Sequence, residues 1–454
     1  MPLRPLIIID GFDAGILEDA TIQAKNGFSY CAGINIHKEP GILKVSNALS
    51  AMAQAASPDN ITDSPKWIVK YGDYYYVLGS TGRIYNNSAD WILVHTDTNS
   101  GEGQSMITFN GNLHWMGNTT MGKFDGTTWT DSFKTGFTST SYHPMVIFGD
   151  KLMIGNERYV ATLDTSDTLT LQALDLPAGY IIRDLAVYGN KLMIVACKFG
   201  ETISMTFSWN GTDPSFEQIW EIKEPNVFAI KNWGNLLVLF GGEGNIYLFN
   251  GATVTKLPKK IPFYPEFTQT IFVRSGAITE ISGNLVFGYG VGVFNYGGVY
   301  TIANESGYPL TISHIPSPGQ TGIEPMSIYN AGAEQFLLGW KSGSTYGIDS
   351  ININIKVAST AYWESQKYEV AIADNPIPVK GVELIAKPMA SGTSVEVAYK
   401  KDNASSWTTL GTINSTNQSR VLLGIIGLAK TIQIRLNFTC AGNNTPEILS
   451  IKIY

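Results

Sequence analysis

The sequence predicts an all-β chain: a six- or seven-bladed β-propeller followed by a C-terminal β-sandwich. Three observations predict it. The 454 residues include 46 Gly, 20 Pro and 22 Tyr but only 15 % charged residues, against roughly 25 % in an ordinary globular chain. Polar surface then comes from Ser, Thr, Asn and Gly, which suits short strands joined by tight turns. A glycine turn followed by an apolar strand recurs between residues 72 and 332. Beyond about residue 365 the repeat stops and seven short strand-like runs follow. The same composition excludes a coiled coil and a disordered chain.

Residues 1–62 do not fit the repeat. Gly11 to Gly15 is turn-like, Phe28 to Ile36 reads as a strand, and the alanine-rich Ala48 to Ala56 reads as a short helix. Ser57-Pro58-Asp59-Asn60 is a loop. The segment is expected to be an N-terminal arm that packs on a neighbour or supplies a closing strand to the ring.

Residues 63–364 carry the repeat. Its turn glycines are Gly72, Gly111, Gly149, Gly189, Gly234, Gly283 and Gly332, spaced by 39, 38, 40, 45, 49 and 49 residues. Most pair with Asn or Asp, and such pairs tolerate φ > 0 in a two-residue hairpin loop. A very apolar strand follows each turn, as in Leu236-Leu237-Val238-Leu239-Phe240. A second turn follows in most copies, such as Asp125-Gly126, Asn210-Gly211 and Asn250-Gly251. Four strands in roughly 40 residues is the pattern of a propeller blade, which buries its faces against its neighbours. Blades are expected to begin near Trp67, Gln104, His143, Ile182, Val227, Ala277 and Pro325. The last copy is degenerate, hence six or seven.

Residues 365–454 are expected to form the sandwich. Its strands are Lys367–Ile372, Val379–Lys387, Thr393–Lys400, Ser406–Leu410, Gln418–Leu423, Thr431–Asn437 and Pro446–Ile453.

The net charge is −7, and the densest basic spots are only Lys259-Lys260 and Lys400-Lys401. Gripping a phosphate backbone needs clustered cations, so tight nucleic-acid binding is not expected. Cys31, Cys197 and Cys440 lie far apart without a CxxC pair and are expected to be buried free thiols. The apolar run Leu6 to Ile9 is too short for a signal peptide, and Val421 to Ala429 is too short to span a bilayer. Synthesis in the cytoplasm without a membrane anchor is the expectation.

Little points to catalysis. His37, His95, His114, His143 and His314 have no metal-binding spacing. Gly288-Tyr289-Gly290-Val291-Gly292 lacks the helix and Lys-Ser/Thr of a phosphate loop and reads as a tightly packed strand. Lys401-Asp402-Asn403-Ala404-Ser405-Ser406-Trp407 is similar to the Asp-box turn of sialidases, but a sialidase also needs several arginines on one carboxylate. Nothing in the sequence brings together three of the seven: Arg4, Arg83, Arg158, Arg183, Arg274, Arg420 and Arg435. A glycosidase needs two placed carboxylates, and Asp184, Glu201, Glu217 and Glu221 are candidates by composition alone. Trp115, Trp129, Trp209, Trp220, Trp233, Trp340 and Trp363 read as blade-packing residues rather than sugar platforms. No enzyme, cofactor or metal site is expected.

The stretches Gly11-Phe12-Asp13-Ala14-Gly15-Ile16-Leu17-Glu18-Asp19 and Cys31 to Gly41, the latter ending Lys38-Glu39-Pro40-Gly41, resemble the opening of tailed-bacteriophage virion proteins. The hub or nozzle proteins of short-tailed phages are the type in question. Leu384 to Pro388, Gly392 to Lys400, Trp407, Leu410-Gly411, Ile432 to Leu436 and Asn443 to Pro446 resemble a sandwich appended to such proteins. The resemblance covers most of the chain. It implies a structural protein of the virion tail, forming a homo-oligomeric ring with other tail proteins at the hub, nozzle or head–tail junction. Phe12, Ile16, Leu17 and Phe28 are then the expected apolar anchors of the arm at an assembly interface. The alternative is a receptor-binding module for host glycans, or a fibre adaptor.

Overall fold

The computed structural model describes residues 4–17, 26–98, 102–261, 273–290, 296–357, 359–372 and 375–454. Glu18, Asp19, Val291 and Gly292 of the motifs above lie outside them. The described chain is all-β, with one 3-10 turn at Ser275–Ala277 and no α-helix.

Seven sheets of four strands each follow one another along the chain. This settles the six-or-seven alternative at seven propeller blades among the described residues. Their first strands are Pro65–Tyr71, Ser105–Phe109, Met145–Phe148, Tyr180–Tyr188, Val227–Trp233, Ile278–Ile281 and Ile323–Gly332. Each begins within two residues of its expected start. Each turns back through a two-residue loop into the second strand, because the loop takes φ > 0 cheaply. Gly72 holds the first loop position at φ 58°, the position at which a type II′ turn needs glycine. Asn110 and Gly111 both have positive φ, the type I′ pattern. The degenerate seventh copy has a physical cause. Its loop is Ala333-Glu334, at φ 48° and 64°, between the paired Gly332 and Gln335. The glycine there flanks the loop instead of forming it.

The core lies between neighbouring sheets. Val69, Tyr76 and Leu78 of the first blade pack on Met106, Leu113 and Trp115 of the second. Equivalent clusters join the second to the third, the third to the fourth and the fourth to the fifth. Ile68, Val77 and Tyr85 of the first blade also pack on Leu337 and Ile348 of the seventh, which closes the circle of inner strands. Fully burying one such side chain contributes about 1.5–3 kcal/mol.

The alanine-rich segment expected to be a helix is instead the strand Asn47–Ala51, the fourth and outer strand of the seventh sheet. Helix propensity is a weak preference, and an unpaired sheet edge offered this segment a ladder to complete. Of the two roles read for the N-terminal region, the closing strand is therefore present.

Two larger sheets complete the fold. The six-stranded one runs Ile34–Asn35, Leu43–Val45, Glu447–Ile453, Val382–Ala386, Arg420–Leu423, with Ile7–Ile9 also on Glu447–Ile453. The seven-stranded one runs Gly15–Ile16, Gly27–Ala32, Tyr362–Ser365, Thr431–Thr439, Ser394–Lys401, Thr408–Ile413, with Tyr368–Glu369 also on Thr431–Thr439. Each expected C-terminal run overlaps a strand. N-terminal strands are woven into both larger sheets; a two-stranded ribbon, Ile377–Val379 with Gly427–Ala429, is made by the C-terminal region by itself.

The chain divides into two compact units. One is Met1–Ser50, Gly298–Ser317 and Ile351–Tyr454; the other is Ala51–Gly297 and Pro318–Ser350. The boundaries expected at residues 62 and 364 differ from this division because N- and C-terminal strands share sheets.

Candidate functional site

Within the second unit, the first strand of each blade is the terminal strand of its sheet. These seven strands surround a cavity of about 590 Å³, to which they contribute Ile68, Ile107, Val146, Ala186, Ile230, Thr279 and Tyr329 among others. Most of the wall is apolar. Asp184 and Lys231 are its charged groups among the described residues. Asp184 accepts the Leu185 N–H at 2.9 Å and the Ile230 N–H at 2.8 Å, so it joins the fourth inner strand to the fifth. Burial raises its pKa to about 6 despite these bonds. Burial lowers that of Lys231.

A second pocket, of about 320 Å³, shares Trp67, Ser275 and Gly276 with the cavity wall and so adjoins it. Its lining residues come from the starts of the inner strands: Lys66 and Trp67, Gln104 and Ser105, His143 and Pro144, Arg183, Phe228, and Arg274 to Gly276. The pocket therefore lies at the mouth end of the cavity.

Three cations line this mouth. The Arg183 guanidinium lies 4.2 Å from the Tyr142 ring and 5.7 Å from Phe228, a cation–π arrangement that fixes its plane. Its Nε is buried without an acceptor. Arg274 reaches Glu324 at 3.5 Å, and burial lowers its pKa. Burial also lowers the pKa of Lys66, opposed by nearby Glu102 and reinforced by Arg274. His143 is not free to bind: Nδ1 lies 2.7 Å from the Gly155 carbonyl and Nε2 2.9 Å from that of Asn118.

The residues singled out in the sequence fall elsewhere. Phe12, Ile16 and Phe28 are buried inside the first unit, and Leu17 is half-buried. Phe12 meets the Trp363 ring edge-on at 5.4 Å, and Phe28 lies 6.0 Å from the same ring. Side chains already buried in their own unit present no surface to a neighbour, so the three cannot anchor an interface as they stand.

The glycosidase candidates are not brought together. Asp184 is on the innermost strand of the fourth blade and Glu221 on its outermost strand, Gln218–Ile222. Three strand spacings put them about 14 Å apart, beyond the roughly 9.5 Å limit for a glycosidase pair. Glu217 pairs with Lys191 at 2.6 Å, and Glu201 with Lys198 at 3.4 Å.

The Asp-box-like turn is a structural tie: Asp402 accepts the Lys430 N–H at 2.7 Å and the Thr431 N–H at 3.1 Å. These bonds hold its carboxyl below the usual range. Of the seven tryptophans named, Trp115, Trp209, Trp233, Trp340 and Trp363 are buried. Gly288 is tightly packed as expected, since a Cβ there would lie 2.4 Å from Pro325. Cys31 and Cys197 are buried free thiols and Cys440 is partly buried. No group of three or more His, Cys, Asp or Glu poised for a metal occurs among the described residues.

The mouth was the feature the sequence reading missed. A signal for it existed in the phase of the repeat. Lys66, Tyr142, Arg183, Phe228 and Arg274 all fall within three residues of the blade starts read from the sequence, near Trp67, His143, Ile182, Val227 and Ala277. Equal phase in a closed circle of blades means the same end of the cavity.

No family model matches the sequence, and no curated protein is significantly similar to it. Solved structures are similar in fold. The WD40 β-propeller domain of Doa1 matches at 13 % identity and TM-score 0.48, over 67 % of this chain and 96 % of that one. Hydrazine synthase of Kuenenia stuttgartiensis matches at 10 % identity and TM-score 0.49, over 65 % and 97 %. An extracellular domain from B. thetaiotaomicron matches at 10 % identity and TM-score 0.48, over 83 % of this chain; the chain spans 47 % of that structure's length.

Proposed function

We propose that this chain is a non-catalytic structural protein of a tailed-bacteriophage virion. It assembles as a ring component of the tail, at the hub, nozzle or head–tail junction, together with other tail proteins. In this reading the two larger sheets of the first unit form the appended sandwich. The protein is made in the host cytoplasm and ends in the virion. Two features support the reading. The stretches that carry the resemblance are far apart in sequence yet share sheets: Gly15–Ile16 and Cys31-Ala32 lie in the seven-stranded sheet with Ser394 to Lys400, Leu410-Gly411 and Ile432 to Leu436, and Ile34–Asn35 lies in the six-stranded sheet with Leu384 to Ala386.

The observation that carries assembly is an exposed apolar surface on the first unit. Ile372 is 69 % exposed, Ile425 81 % and Leu428 59 %. Ile425 and Leu428 are linked locally: Leu428 lies on the ribbon that pairs Ile377–Val379 with Gly427–Ala429, and Ile426 N–H, between them, bonds Val379 O. Large apolar side chains left this exposed on one ribbon favour a protein partner. The interface is thus reassigned from the buried arm residues to this ribbon.

The test is the solution mass of the full chain and of an Ile425→Ser/Leu428→Ser variant, with particle imaging. A multi-subunit ring for the parent and a folded single chain for the variant are expected. A single chain for both, at every concentration and without particles, overturns the reading.

A further inference from the structure

The mouth of the propeller cavity suggests a ligand site that does not depend on the virion reading. Lys66 and Arg183 have no carboxylate within 4 Å among the described residues, since no ion pair involves either. Arg274 shares Glu324 with Lys341. Glu102 is the one acid among the described residues that line the pocket. A chain with net charge −7 therefore gathers three cations in one pocket beside a single lining carboxylate. Beside it stand three aromatic walls, Trp67, Tyr142 and Phe228.

We propose that this pocket binds a small molecule carrying one oxyanion group, a carboxylate or a phosphate, on a ring-sized uncharged body. A planar guanidinium offers parallel N–H donors that match either group. Tyr142 holds that of Arg183 in one orientation before any ligand arrives, which reduces the ordering cost of binding. Lys66 adds a compact charge. The aromatic faces take the body, as apolar walls with a few polar groups do in small-molecule sites. A volume of about 320 Å³ lies at the low end of the roughly 300–1,000 Å³ of such sites, so a single ring fits and a polymer does not. An acidic monosaccharide is the size and chemistry that uses both features.

Calorimetric titration of the full chain with glucuronate, glucose 6-phosphate and glucose tests this. Glucuronate or glucose 6-phosphate is expected to bind and glucose is not; the tighter acid identifies carboxylate or phosphate as the group recognised. Arg183→Gln is expected to weaken binding of that acid at least about tenfold, the scale of a lost charge-assisted pair. Lys66→Gln serves as a second variant should Arg183→Gln fail to fold, and Lys256→Gln, exposed on the outer strand of the fifth blade, should change nothing. Binding of neither acid overturns the proposal. So does glucose binding as well as the acids, or unchanged affinity in folded Arg183→Gln or Lys66→Gln. Each readout uses the isolated chain, so failure here leaves ring assembly untouched.

Discussion

His37, His114 and His314 show how burial acts on single residues. Burial lowers their pKa values to about 4, about 4 and about 3, from 6.5. The folded chain keeps these imidazoles neutral where the unfolded chain protonates them. Their contribution to stability is thus complete above pH 6.5 and is lost as pH falls toward 4, at about 1.4 kcal/mol per pH unit for each group. Asp184 has the opposite sign. Its pKa is raised to about 6, so the folded chain holds a proton there that the unfolded chain releases between about pH 4 and 6. With His143 also lowered and Glu364 also raised by burial, four imidazoles against two carboxyls predict a melting temperature that falls from pH 7 to pH 4.5 in a calorimetric series. A flat or rising series contradicts the assignment of neutral buried imidazoles. Histidine type and scatter were legible in the sequence; their burial was not, because it depends on strands far away in the chain.

The hairpin is the element that the sequence specifies best. Its loop has two residues, and φ > 0 there is a local demand met by Gly, Asn or Asp. Neighbouring blades add a second use of the residue before the loop. Tyr71 Oη donates to Gly111 O at 3.1 Å, Tyr188 Oη to Asn235 O at 2.9 Å and Trp233 Nε1 to Gly283 O at 2.8 Å. Each bond ties one blade to the turn of the next. The closing strand is the opposite case. Asn47–Ala51 has helix-favouring residues, and its partner Thr345–Lys356 lies about 300 residues away. Leu49 is buried there, so Leu49→Asp places a charge in an apolar site and should free this strand. Hydrogen exchange is expected to rise across Thr345–Lys356 while the second, third and fourth blades keep their protection. Unchanged protection of Thr345–Lys356 would show that the outer strand contributes little.

At the scale of the molecule, the N- and C-terminal regions depend on each other. Ile7 pairs with Ile453 and Ile9 with Ile451, while Val382 pairs with Ile453 from the other side. Trp363 is covered by Phe12 and Phe28. Residues 365–454 expressed alone would lack these neighbours and expose both sheets' apolar faces. They are expected to lack cooperative melting by circular dichroism, and to recover it in the intact chain. A sharp transition for the fragment would restore the view of an autonomous C-terminal domain.

The sequence by itself determined the all-β class, the hairpin turns and, to within two residues, the start of each blade, because those features rest on local backbone chemistry repeated at short range. It also carried the strands of the C-terminal region, through the composition of each run. Tertiary structure alone decided which strands share a sheet, that Phe12, Ile16 and Phe28 are buried while Ile425 is exposed, and that Lys66, Arg183 and Arg274 meet at one mouth. Those outcomes depend on contacts between segments hundreds of residues apart, and burial and convergent charge are properties of the assembled neighbours, not of any single segment.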